Sequence, residues 1–318
     1  MAGLGVLGFI GYGKESSGGV PVAATDYVEA FSESFQLTFD RYVKSNIRGS
    51  IVAPDDISGI KRIAGDVTIT GDPVQLGHWL NGACGVQSNT EVLSGVLFQH
   101  EFTLAETDWD DTFALQPYTF EINRDISSSQ QYSGSNIGAL RFSIVPNNVL
   151  QVTASIVGRS ETNIAKTTPT FTASPVTPLA FDTCSISWGG AEHQLIEALT
   201  IIQNSNLEGI ASLRASKDIR AIRRSAPTEV TFEGSMAFEN LTDYEAFRAE
   251  TERALTINMT RASSFSLLIE LPKTVITTFP VGAGGSDRII VDFEGQGRYS
   301  QADGYSIKYT LTSTTSGY

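Results

Sequence analysis

The chain has 318 residues, room for one large domain or two ordinary ones, and 41% apolar with 9% aromatic residues is enough for a sizeable core. Its 22 basic against 35 acidic residues leave a net charge of −13, which excludes gripping nucleic acid by counterion release. Cys84 and Cys184, far apart in the chain, form neither a zinc cluster nor a disulfide framework and read as buried small apolar residues; no apolar run approaches the roughly 20 residues that span a bilayer. The apolar start, residues 1–10, has no basic flank and is broken by Gly3, Gly5 and Gly8. It reads as a poor signal peptide, so the protein is expected to be made and kept in a cytoplasm.

In chain order, Phe35, Leu37 and Phe39 alternate with Gln36 and Thr38, and Val67 and Ile69 with Thr68 and Thr70, the period of half-buried strands. Asp72 and Pro73 then suit the cap and first residue of a helix carrying Leu76, Trp79 and Leu80. Strands follow at 96–104, 118–122, 140–145 and 150–157, and beyond a Thr- and Pro-rich join at 230–232. Thr242 with Glu245 forms a capping-box pattern ahead of Tyr244, Phe247 and Leu255. Strands at 255–259, 265–271, 275–279, 289–293 and 305–311 complete a mainly β chain.

Both predicted helices directly follow a strand that ends in Gly, and the parallel extends further. Glu33 within 32–40 matches Glu197 within 196–204; Asp56-Ile57 with Ile60-Lys61-Arg62 returns as Asp218-Ile219 with Ile222-Arg223-Arg224; 67–71 returns as 230–234; 156–160 resembles 296–300. Four matches in one order read as a duplication. The expected division is a first domain at 1–165, a linker at 166–177 and a second domain at 178–318. A segment at about 85–116 occurs in the first half alone, and its alternation at 96–102 predicts a hairpin arm.

Catalytic and binding motifs fail one by one. Gly8 to Lys14 fits most of a phosphate-binding loop, but Glu15 stands where the Mg²⁺-holding Ser or Thr belongs, and the Ser/Gly/Pro stretch behind it cannot open a helix. No GxSxG elbow occurs, and His78, His100 and His193 show no metal-ligand spacing. The run Asp108 to Asp111 lacks the glycine and closing glutamate of a calcium loop and reads as a solvated loop tip. No catalytic residue, cofactor or metal is expected. Lys61-Arg62 and Arg220 with Arg223-Arg224 sit at matching places in the two repeats, as solvated loop charges or as charges that set register between subunits.

Gly11 to Ser17, Val20 to Ala23, Glu33 to Phe35 and Asn46 to Gly49 together resemble the N-terminal signature of the tail tube (major tail) proteins of long-tailed bacteriophages. The likeness continues through 65–67, 76–80, 118–125 and 157–159 into 230–234, 243–247 and 268–272. It implies two tandem tail-tube β-sandwich or half-barrel domains, each with one flanking helix, closing with neighbouring subunits into a β-barrel. It implies a structural virion protein that polymerises into stacked rings around a conduit for DNA ejection, with DNA passing unbound and no membrane involved. Six wall units per ring, two per chain, would give a pseudo-sixfold ring of three chains. Tail tip, tape measure and tail terminator proteins would be its other partners. A loop after the second strand would reach the adjacent ring, here 48–63 and by duplication 209–224. The candidate inter-ring and inter-subunit contacts are therefore Arg48, Asp55, Asp56, Lys61 and Arg62, with Asp218, Arg220, Arg223 and Arg224. A tail terminator, a contractile-type tube and a carbohydrate-binding β-sandwich are the alternatives.

Overall fold

Period-two alternation of β-branched and aromatic residues makes strands of nearly every predicted segment, and the computed structural model shows which faces they bury. It describes residues 3–44, 46–47, 49–53, 55–171, 177–261, 265–282 and 288–318. The first half opens with a 3-10 turn, Gly5–Leu7, then β1 (Phe9–Lys14), β2 (Asp26–Val28), β3 (Ala30–Glu33), β4 (Gln36–Val43), β5 (Asp56–Thr70) and α1 (Leu76–Cys84). It continues with β6 (Gly85–Leu93), β7 (Leu97–Leu104), β8 (Tyr118–Asn123), β9 (Ser128–Ile144), β10 (Gln151–Gly158) and β11 (Ser160–Ala165). The second half opens with another 3-10 turn, Phe181–Thr183, then β12 (Cys184–Trp188), β13 (Ala191–Glu192), β14 (Ile196–Asn204), β15 (Leu207–Ile210), β16 (Ala221–Arg224) and β17 (Glu229–Ala237). It closes with α2 (Thr242–Arg248), β18 (Arg253–Arg261), β19 (Phe265–Thr278), β20 (Ile290–Gly297) and β21 (Lys308–Ser313).

The fold is mainly β with two helices among the described residues, and its strand ladders are antiparallel sheets of the kind a β-sandwich stacks. In the first half the strands neighbour one another in the order β1, β8, β9, β10, β5, with β3 and β4 on the far edge of β5. In the second half the order is β12, β18, β19, β20, β17, with β14 on the far edge of β17. The outer strands β11 and β21 flank the first parts of β9 and β19 in the same way. The hairpin β6–β7 has no counterpart between α2 and β18.

β14 pairs with β9, setting Ile202 opposite Arg141 and Gln203 opposite Leu140, and β21 pairs with β7, so the halves share one sheet system. One hydrophobic core runs through both, with Trp79, Phe120, Phe142, Phe232 and Phe293 each at most 1% exposed. A Phe or Met-sized side chain buried to this degree contributes about 1.5–3 kcal/mol. A second cluster sits between the halves, where Phe113, Ile219 and Ile222 pack with Ile60, Val157 and Leu207.

Both helix starts differ from the sequence expectation. Asp72 holds the turn before α1, its Oδ1 accepting from Val74 N–H at 2.8 Å and its carbonyl from Leu76 N–H at 2.9 Å; the helix itself begins at Leu76. At α2 the Oδ1 of Asn240 accepts from Thr242 N–H at 2.9 Å, which makes Thr242 the first helical residue rather than the cap. Strand β1 is not among the strands the alternation predicts, because its glycines hide the pattern.

Strand register also refines the repeat. Glu33 lies opposite Val67, while Gln203 lies opposite Val230, so laying β5 on β17 brings Glu33 onto Gln203 rather than Glu197. The difference is six residues. A slip by an even number keeps every side chain on its own face, so alternation alone does not detect it.

Candidate assembly surface

The face of the joined sheet that points away from both helices is open and polar. One row across it reads Ser32, Thr68, Thr153, Arg141, Ile202, Thr231 and Gln296, each opposite the next. The next row reads Thr70, Gln151, Ser143, Thr200, Glu233 and Glu294. Thr68 and Thr153 share a hydroxyl hydrogen bond at 2.9 Å. Glu233 and Glu294 would repel as direct cross-strand neighbours, and Arg141 offsets this by reaching Glu233 at 2.6 Å from the other half of the chain. Arg62 is likewise held by Asp40 at 3.0 Å, and Asp66 and Asp292 add two more exposed carboxylates. With its two arginines engaged, the face is hydroxyl-rich and acidic.

Each end of this sheet presents an edge. β3 has β5 as its hydrogen-bonded neighbour, and the end of β19 beyond Thr274 has β20; no second strand flanks either edge among the described residues. Phe31, on β3, is 57% exposed. The β4–β5 hairpin projects beyond the sheet and carries exposed Ile47, Ile51 and Val52 at its tip.

Lys61 and Asp218 are brought together within the chain, and Asp56, Arg62, Arg223 and Arg224 have other partners within it. Lys61 meets Asp218 across the two halves at 3.3 Å, and Lys61 N–H donates to the Lys217 carbonyl at 2.8 Å. The loop of the second half therefore lies on the hairpin of the first. Arg41 holds Asp56 at 2.6 Å and keeps its carboxyl below the usual value, chiefly through their hydrogen bond. Arg223 and Arg224 both grip Asp108, the latter at 2.7 Å, and Arg224 also donates to the Ala105 carbonyl at 3.0 Å. Asp55 and Arg220 are exposed, and Arg48 lies outside the described residues. Residues 108–111 form an exposed bend, as expected of a solvated tip, and the tip also carries contacts: Asp108 pairs with two arginines of the second half, while Asp110 Oδ1 accepts from Thr112 and Phe113 N–H at 2.6 and 2.7 Å. The signal available in sequence was the presence of both charge runs; their meeting depends on the hairpin insertion.

The near-miss phosphate loop has a structural role. Lys14 ends β1, and Glu15, 1% exposed, accepts from Thr119 Oγ1 at 2.6 Å, Gly134 N–H at 2.8 Å and Gly19 N–H at 2.6 Å. It pins the following loop to a bend in β9, where Gly134 has φ +61 and a Cβ would stand 3.0 Å from the Phe113 ring. His78 packs on Tyr12 and Tyr318, and His193 is bonded to Asp243 at 2.9 Å beside Arg253, which stacks over Trp188. Burial pushes the Cys84 thiol up to about 12, so it stays protonated and unreactive; Cys184 is half-buried rather than buried. Trp79 and Trp188 are buried and Trp109 is 38% exposed.

Among the described residues no cluster of metal-ligating side chains occurs, and no helix is long and apolar enough to cross a membrane. A family model described as phage tail tube protein matches residues 5–297, from the first 3-10 turn to the end of β20. No curated protein matches the chain.

Proposed function

We propose, from the premise that this chain belongs to the phage tail tube protein family, that it polymerises into stacked rings of three chains, each chain supplying two wall units. Membership makes it a structural component of the virion tail that associates with itself and with other tail parts. The observation carrying the finer reading is the edge-to-edge join of β9 and β14. There, two halves with the same strand order continue one sheet and leave a free edge at each end. Repeating that join between chains removes the exposed edges and bends the sheet into a closed barrel. The open acidic, hydroxyl-rich face then lines the bore and lets DNA slide without holding phosphate.

The contact residues follow the same logic. Lys61 and Asp218 join the halves of one chain. Their counterparts at a junction between chains are Arg223 or Arg224 of one copy and Asp55 or Asp56 of the next. Arg48 and the exposed Ile47, Ile51 and Val52 of the hairpin face the adjacent ring. Assembly takes place in the bacterial host cytoplasm with tail tip, tape measure and terminator proteins as partners, in a siphovirus-type tail, and the role is non-enzymatic.

Electron microscopy of the concentrated protein tests this. Hollow tubes of uniform bore with three subunits per ring are expected; six chains per ring, or a persistent monomer, would overturn it.

A further inference from the structure

The join between the two halves has a counterpart groove that stands open. Within the chain, the end of β9 and the turn after it, Ile144 to Pro146, pack beside Phe181, Ile186 and Leu199 and leave between them a recess of about 390 Å³. That recess lies between the 3-10 turn before β12, strand β12 and the start of β14. The first half repeats all three pieces in the 3-10 turn Gly5–Leu7, strand β1 and strand β3. They border a groove of about 770 Å³ with an apolar wall of Val6, Phe9, Ile10, Val28, Phe31 and Phe171. No chain segment equivalent to Ile144 to Pro146 enters it among the described residues. The larger volume and the exposed Val6 and Phe31 are what the missing turn would leave behind.

The segment that matches the missing turn is in the second half of the chain. Arg141 and Phe142 face Thr153 and Val152 of β10, which face Thr68 and Ile69 of β5; Val275 and Ile276 face Gln296 and Gly295 of β20, which face Thr231 and Phe232 of β17. Val275 and Ile276 therefore occupy the places of Arg141 and Phe142. One extra residue at the bulge between Ile276 and Thr278 then brings Thr278 to the place of Ser143, Phe279 to that of Ile144 and Pro280 to that of Val145. Phe279 is buried and Val281 is 41% exposed, as an anchor and a protruding tip would be.

We propose that the groove between the N-terminal 3-10 turn and β3 receives Pro280 and Val281 of a second copy, while the β3 edge pairs antiparallel with the end of that copy's β19. This rests on the ring reading and adds to it the sheet register. Ile202 faces Arg141 and Thr200 faces Ser143 within the chain. The equivalent pairs between chains are Ser32 with Val275 and Glu29 with Thr278. Ser34 lies opposite Lys273, five positions away from Thr278. The chain-to-chain junction lacks two features of the internal one. Val275 replaces Arg141, and no hairpin like β6–β7 bridges to β11.

Disulfide mapping on assembled tubes tests the register with exposed positions. The full-length double variant Glu29→Cys with Thr278→Cys is expected, on mild oxidation, to give covalent dimers and trimers on a non-reducing gel. The variant Ser34→Cys with Thr278→Cys is expected to stay monomeric. Both variants must form tubes by microscopy, which keeps the two levels apart. Tubes in which the first variant fails to cross-link, or in which the second cross-links as well, overturn the register and leave the ring standing. If neither the variants nor the unaltered chain assemble, the ring reading itself fails, and the inference with it.

Discussion

Phe113 is the residue on which the join between the halves turns, and its replacement by alanine gives the sharpest test of how that join is held. The ring is 0% exposed and packs on Ile219 and Ile222 of the second half, with Ile60 and Val157 of the first closing the cluster. A side chain of this type buries roughly 150–250 Å². Burial of such a side chain contributes about 1.5–3 kcal/mol, and the cavity its removal leaves brings the cost of truncation in well-packed cores to about 3–5 kcal/mol. The backbone N–H bond of Phe113 to Asp110 survives in Phe113→Ala, so the loss reports the ring's own contacts, its packing and Arg159 over its face at 5.8 Å. A loss of about 3–4 kcal/mol by urea denaturation of the full chain is expected. Hydrogen exchange should accelerate first at 207–224, the hairpin that the ring holds against the first half. A loss below 1 kcal/mol, or exchange that rises evenly over both halves, would show that strand pairing, β9 with β14 and β7 with β21, holds the junction without the cluster and would refute the reasoning.

Glu15→Gln should cost about 2–4 kcal/mol, because three donors lose a charged acceptor and the new amide faces them; a melting temperature within a degree of the parent would contradict this. Gly77→Ala places a Cβ 2.2 Å from the Tyr318 ring, so the C-terminal residues should release from α1, read as rapid exchange at Asn81 and a loss of about 1–3 kcal/mol. The parent's exchange pattern in the variant would show that Tyr318 yields without consequence. Burial depresses His78 and His100, and below the ordinary histidine value of about 6.5 the unfolded chain binds protons that the folded chain refuses. The urea midpoint should therefore fall as pH drops from about 7 to 5, and His78→Gln should flatten that slope; a midpoint that holds or rises toward pH 5 would disprove it.

Strand content and both helices were legible because alternation and strand-ending glycines are local. The sequence sign of a duplication is that Asp56 to Arg62 and Asp218 to Arg224 keep identical internal spacing. The exact match of Glu33 was not, since faces repeat every two residues while pairing register is set by a partner strand far along the chain. The contact residues were chosen as charges awaiting a neighbour. Several instead meet across the halves of one chain, because the second half is already the neighbour of the first. The pairing of Asp108 was not legible for the same reason: its partners lie 115 and 116 residues away.

The unequal junctions bear on how such a chain avoids premature growth. Inside the chain, β14 on β9, β21 on β7, the Phe113 cluster and the Arg141–Glu233 pair act together, and Tyr318 from the end of the chain packs on α1. Between chains the proposed junction keeps one strand pairing and one apolar turn. It must also cover the cost of bringing separate molecules together, an estimated 4–15 kcal/mol. In the proposed three-chain ring, the covalent link between the halves removes that cost from every second junction. A chain folded alone is thus complete at its inner junction and only weakly adhesive at its ends, so single chains should persist in dilute solution. Growth then favours a pre-formed ring, where a newcomer meets edge, groove and hairpin contacts at once. Equal propensity of dilute chains to form rings with and without such a template would contradict this account.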